Sequence, residues 1–339
     1  MKSQLSYFYG SLLFCVLAAV GAYFIGGIPA VITVVFLTVL ETSLSFDNAV
    51  VNAAVLRNWD DVWRRRFLVW GILVAVFGMR LVFPLLIVAV AGDLGPFQVL
   101  ELAISAPDDY ARILESARHQ IAAFGGAFLM MVFLKFFVDR HKTDHWLEAV
   151  EKPLTRLGKM EAIEAALTLI LLMLMAGLLD GNIRGEFIAA GVWGVVTYIF
   201  AKGLAALVGG DEAATGQVIR QGVGGFLYLE LLDASFSFDG VVGAFAMTNN
   251  LFIIALGLGA GAMFVRSFTL LLVERGTLDT YRYLEHGAFW AIGALAVIML
   301  AGAKYHIPEA VTGLLGAGLI AFSLGSSILS NRRKTPQQV

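Results

Sequence analysis

Apolar runs of bilayer-crossing length recur along the whole chain, separated by short polar stretches. Ten runs fall near residues 6–26, 29–56, 67–91, 119–138, 162–179, 186–208, 222–247, 250–273, 285–302 and 308–329. A helix needs about 20 apolar residues to cross the hydrocarbon core, and each run approaches or exceeds that length. The pattern predicts an all-α polytopic membrane protein of about ten transmembrane helices. Pro29 marks the break between the first two runs, and Thr248-Asn249-Asn250 predicts a tight turn between the seventh and eighth. The first run follows a lysine and contains Val20-Gly21-Ala22, so a cleaved signal peptide is an alternative there. That alternative leaves nine spans and unequal halves.

The placement of basic residues orients these spans. With the N-terminus inside, the cytoplasmic side receives Lys2, Arg57, Arg64–Arg66, all five lysines and arginines of 139–161, Lys202, Arg220, Arg275, Arg282 and Arg332–Lys334. The outer side receives only Arg112, Arg118, Arg184 and Lys304. This bias follows the positive-inside rule and places both termini in the cytoplasm. Two longer connections, 92–118 outside and 139–161 inside, read as solvated connectors, the second with a short surface helix.

Inside the apolar runs one acidic pattern is written twice. Residues 41–50 read ETSLSFDNAV and residues 233–242 read DASFSFDGVV. Glu41 aligns with Asp233, Ser45 with Ser237, Phe46 with Phe238 and Asp47 with Asp239. The correspondence continues through Arg80 and Arg266, then through His119 and His286, each histidine followed seven residues later by Gly-Ala. Five spans separate the equivalents, so the copies run in opposite directions. The expected architecture is two inverted repeats, 1–180 and 181–330, followed by a tail at 331–339. Such repeats allow one midplane site to open to either side in turn.

Composition supports the class and narrows the chemistry. The chain is 59% hydrophobic and 15% charged, with a net charge of −2. Nothing in it suggests a nucleic-acid partner, and no nucleotide-binding motif points to ATP-driven pumping. The partner it implies is the lipid bilayer. The single cysteine, Cys15, excludes an internal disulfide and a cysteine-based metal site. No covalent cofactor or enzymatic activity is indicated. The Gly-x-Gly-Asp pattern of an aspartyl intramembrane protease is absent, as is an HExxH zinc motif.

A carboxylate at the bilayer centre costs about 2.5 kcal/mol or more, so such residues usually mark an ion or substrate path. Thr38, Glu41, Ser45, Asn48 and Asn52 form one polar stripe at helical spacing. Glu230, Asp233, Ser237, Gly240 and Ala244 repeat it, and the two stripes are expected to face each other. Their donors are all oxygen, which suits a hard divalent cation such as Mn²⁺ or Ca²⁺ better than Cu⁺ or Zn²⁺. Asp47 and Asp239 lie well around the helix from the stripes. Either the helix unwinds at Ser-Phe-Asp and turns them into the site, or they pair with Arg80 and Arg266 as gating elements. His119 and His286, near opposite membrane faces, are candidates for a proton relay.

At LETSLSFDNAVVNA (40–53) and LELLDASFSFDGVVGAFAMTN (229–249), supported by Arg80 and Arg266, the chain resembles the TerC family of bacterial integral membrane proteins. More narrowly, it resembles a branch catalogued as a domain of unknown function. The likeness runs from about residue 29 to 329. It implies a bacterial inner-membrane protein of a cation-exporter superfamily, several of whose members carry manganese. The family's acidic positions carry over to Glu41, Asp47, Asn48, Asp233 and Asp239. Gly240 stands where an SFDN pattern has asparagine, which breaks the symmetry of a two-amide site. The family name refers to tellurite, yet an acidic site repels oxyanions. The expected function is export of a divalent cation, Mn²⁺ before Ca²⁺, by alternating access with proton exchange. The rival is a membrane-embedded metal-binding partner or sensor in a stress-response complex, with 139–161 as its contact surface.

Overall fold

A computed structural model describes residues 4–140, 142, 144–208, 222–245, 247–305 and 307–334. The described secondary structure is helical throughout. A short 3₁₀ turn leads into α1 (Tyr9–Leu44), followed by α2 (Phe46–Leu56) and α3 (Asp61–Leu73). A π-helical stretch, Val74–Val82, joins α3 to α4 (Phe83–Ala91). Then come α5 (Pro96–Ser105), α6 (Pro107–Ser116), α7 (Arg118–Phe137), α8 (Glu148–Leu157), α9 (Ile163–Ala176) and α10 (Gly181–Val208). The chain continues through α11 (Val223–Phe245), α12 (Leu251–Glu274), α13 (Thr277–Thr280), α14 (Leu284–Gly302) and α15 (Glu309–Lys334). The expected tail at 331–339 thus begins inside α15, and residues 335–339 lie outside the described residues.

Seven helical stretches among the described residues are long and apolar enough to cross a membrane. They are Tyr9–Leu44, Asp61–Ala91, Arg118–Phe137, Ile183–Leu204, Leu251–Glu274, Leu284–Gly302 and Val311–Arg332. Phe46–Leu56 and Ile163–Ala176 are apolar but shorter. The helix α11 has the length but carries Glu230, Asp233 and Asp239. Large apolar side chains such as Leu13, Phe24, Ile28 and Phe36 stand exposed along α1, as a lipid-facing helix requires. These features fit a helical membrane protein.

The expected break between the first two apolar runs is a kink, borne by Gly26 and Gly27 and not by Pro29 itself. At 36 residues α1 covers the first run and most of the second, and its kink lies at Gly26 (φ −150°, ψ 21°) and Gly27 (φ 65°, ψ −153°). Proline fits the first turn of a helix, where its missing N–H has no partner to lose. Pro29 therefore opens the second limb, and the glycines before it take the bend.

The molecule divides into two compact units that each draw on both halves of the chain. The first comprises Met1–Ala49, Asp60–His119 and Leu229–Leu271, and the second Val50–Trp59, Gln120–Tyr228 and Leu272–Val339. In the first unit α1 packs on α12 through small residues, with Ala18, Ala22, Ala30, Val34, Ile253 and Ala260 buried together. Small side chains let membrane helices approach closely. Ser11 Oγ adds hydrogen bonds to Met263 O (2.8 Å) and the Ser267 hydroxyl (2.6 Å). The second unit has its own core of Ala123, Leu172, Ala176, Leu179, Phe187 and Leu300.

Neither longer connection is merely a solvated linker. Residues 92–118 fold into α5 and α6, whose Val99, Tyr110 and Leu114 are buried, and Tyr110 packs on Phe245. Burial raises the Tyr110 phenol above its ordinary pKa. In residues 139–161, α8 buries Glu151 completely. In both places, residues nearby in space and distant in sequence cover the buried side chains.

Candidate functional site

The first acidic motif lies where α1 gives way to α2. Ser45 leaves helical geometry (φ −99°, ψ 19°), so the helix breaks one residue before Phe46-Asp47. The second motif lies within α11, which runs unbroken from Val223 to Phe245. Helix interruption therefore occurs in one copy only. The break places Asp47 in the first turn of α2, where free N–H groups favour a carboxylate. Asp47 accepts a hydrogen bond from Asn48 N–H at 3.0 Å.

Glu41, Ser45, Asn48 and Asn52 are all buried, as the stripe predicts. Glu41 Oε1 accepts a hydrogen bond from Arg80 Nη2 at 2.5 Å and another from Ser45 Oγ at 3.0 Å. Arg80 projects from the π-helical stretch and is itself buried. Such wide turns are rare and recur at functional positions. Thr38 does not join the acidic group, because its hydroxyl donates to Val34 O and Gly257 O. The amide oxygens Asn48 Oδ1 and Asn52 Oδ1 have no hydrogen-bond partner among the described residues.

In the second motif, Arg266 on α12 serves two carboxylates. Its Nη2 lies 3.2 Å from Glu230 Oε1 and 3.6 Å from Asp233 Oδ2. The same nitrogen donates to Gly71 O at 2.9 Å, and the guanidinium stacks 4.0 Å from the Phe67 ring centre. Gly71 permits this approach, since a Cβ there would lie 2.6 Å from both Arg266 Nη1 and Glu230 Oε1. Glu230 Oε2 has no hydrogen-bond partner among the described residues. The side chains of Ser237 and Asp239, both expected at the site, lie outside the described residues.

The two stripes meet at Gly240, where a Cβ would come within 2.9 Å of Glu41 Oε2. The asparagine of the first motif cannot be repeated there without moving Glu41. Glycine in place of the SFDN asparagine gives the Glu41 carboxylate room at this point.

Arg80 takes a partner other than Asp47, and the expected pairing of Asp239 with Arg266 lies outside the described residues. Among the described residues no ion pair joins Asp47 to Arg80, and the observed pairs are Glu41–Arg80 and Glu230/Asp233–Arg266. His119 is half-buried at the start of α7 in the first unit, and His286 is buried on α14 in the second. His286 Nε2 sits 2.9 Å from Asp144 O and 3.6 Å from Glu151 Oε2. Sequence reasoning missed Phe67, Gly71 and Glu151. A glycine and an aromatic in an apolar run, or one acid in a charged loop, carry no distinguishing signal.

Among the described residues no three acidic, histidine or cysteine side chains converge closely enough to hold a metal ion. The described first unit nevertheless buries four carboxylates, Glu41, Asp47, Glu230 and Asp233, against two guanidiniums, Arg80 and Arg266. If all are ionised, two negative charges remain uncompensated. A buried charge must be paired or neutralised. One divalent cation or two protons would balance this group.

A family model described as "Protein of unknown function (DUF475)" matches residues 46–334. No curated protein and no solved structure matches the chain.

Proposed function

The chain belongs to this DUF475 family, and from that premise we propose that it is a secondary transporter exporting a divalent cation, Mn²⁺ before Ca²⁺, in exchange for protons. The observation that carries the reading is the excess of buried carboxylate over buried guanidinium among the described residues of the first unit. Membrane-embedded carboxylates with unmatched charge are the usual mark of an ion path. Their oxygen donors suit a hard cation, and the unpartnered Glu230 Oε2 and Asn48 Oδ1 are candidates for its first contacts.

In this reading the arginines hold the acids when no ion is present. Entry of the cation requires Glu230 or Asp233 to release Arg266, which retains Gly71 O and the Phe67 ring as alternative partners. Protons neutralise the acids on the return, because a carboxylate must lose its proton before it binds metal. Ten crossings in two inverted repeats, cytoplasmic termini, an inner-membrane location and kinship with the TerC exporters belong to the same reading. They supply the alternating access that it needs.

The test is flux of Mn²⁺, Ca²⁺, Mg²⁺ and Zn²⁺ into proteoliposomes, with and without a pH gradient. The reading expects Mn²⁺ flux that responds to the gradient and is lost in Glu41→Gln and Asp233→Asn. A folded, inserted protein that moves none of these ions would sink it.

A further inference from the structure

A second buried acid lies far from the two motifs in sequence. Glu151 on α8 is 0% exposed, and three N–H groups converge on its carboxylate. Trp146 N–H reaches Oε2 at 3.0 Å, while Leu147 N–H and Trp290 Nε1–H reach Oε1 at 3.2 and 3.1 Å. Trp290 belongs to α14, so this one side chain ties α8 and the turn before it to a candidate membrane-spanning helix. Thr155 Oγ, donating to Phe137 O at 3.3 Å, adds a second tie to α7.

Around this anchor stand groups that titrate. His286 Nε2, His145 Nδ1 and Lys142 Nζ lie 3.6, 3.8 and 4.0 Å from Glu151 Oε2. Arg282 pairs with Asp144, and Glu285 pairs with Arg57, both within the second unit. The helix α7 presents Phe136 and Phe137, on whose rings the Lys142 ammonium rests at 3.6 and 4.2 Å. From α15, Phe322 packs on Trp146. Lys142 Nζ and the Nδ1 atoms of both histidines have no hydrogen-bond partner among the described residues.

We propose that residues 144–157 form a proton-released strap, docked through Glu151 while His286 is neutral and freed when it takes up a proton. The hydrogen bonds open to that imidazole decide this. Asp144 O only accepts, so His286 Nε2 carries the hydrogen and Nδ1 is bare. Protonation adds a donor at Nδ1 that is buried among Phe136, Phe137 and Tyr283 with no acceptor. Glu151 cannot fully offset this cost, because its oxygens already accept three N–H groups and Lys142 is a nearby cation. Undocking lets water satisfy the imidazolium. Lys142 acts in the same direction: burial pushes its ammonium down to about 8, despite the pull of neighbouring carboxylates. The free strap then binds that proton more tightly than the docked one, so docking weakens as pH falls from about 10.5 to about 8. The strap does not rest on the transport reading.

The test is hydrogen exchange of the full chain in nanodiscs, read on peptides covering 144–157 and corrected for the intrinsic rate at each pH. Protection of this segment is expected to fall about threefold between pH 8 and pH 6, because the free state takes up the His286 proton more readily than the docked one. His286→Gln is expected to flatten that fall. His145→Gln, whose Nδ1 faces the Glu151 carboxylate, is expected to leave that fall in place. Protection equal at both pH values, or an unchanged fall in His286→Gln, would overturn the proposal.

Discussion

The two acidic motifs share a sequence pattern but hold their carboxylates differently. In the first, Glu41 has its own guanidinium at 2.5 Å and a serine hydroxyl beside it. In the second, Glu230 and Asp233 share Arg266, which also serves the Gly71 carbonyl and the Phe67 ring. A buried pair this close is hard to open, since separating it strands two charges. A guanidinium divided among several partners has alternatives when one acid leaves. The comparison makes the first motif the anchor and the second the half that exchanges partners.

The comparison breaks first at Arg266. Arg266→Ala removes the cation between two buried acids and should cost roughly 3–5 kcal/mol, read as failure to accumulate folded protein or a large drop in thermal midpoint in detergent. Arg266→Lys should recover only part of this, because an ammonium cannot reproduce the flat stack on Phe67. Glu41→Gln should come next, at about 2 kcal/mol, since Arg80 loses its charged acceptor. Glu230→Gln should cost about half as much, because Asp233 stays beside Arg266. Equal losses at the two positions would erase the distinction between the motifs.

Two smaller changes sharpen it. Gly240→Asn restores the symmetric motif but forces a Cβ toward Glu41 Oε2, and should cost about 1–2 kcal/mol in thermal unfolding. Asp47→Asn keeps an oxygen for the Asn48 N–H and should change stability by less than about 0.5 kcal/mol. In the transport reading its flux is lost all the same, which would separate a functional charge from a structural one.

Much of this was legible in the chain itself. Carboxylates inside apolar runs stand out against their surroundings, and the arginines that follow each motif were identifiable as companions. The choice of partner was not. Helical spacing assumes an unbroken helix, whereas Ser45 interrupts it and redirects Asp47 into the first turn of α2. The break in α1 was legible, but it was assigned to Pro29 because proline is a stronger sequence signal than the glycines that take the bend. Glu151 read as one charge in a polar loop, since its donors include Trp290, far along the chain.

The central claim is that the unmatched carboxylates exchange protons for a divalent cation. Titration of the purified protein with Mn²⁺ in weak buffer, counting protons released per ion bound, tests it most directly. The account predicts saturable binding with one to two protons released per ion, and a marked loss of both affinity and release in Glu230→Gln. Binding without proton release, or affinity unchanged in that variant, would contradict it.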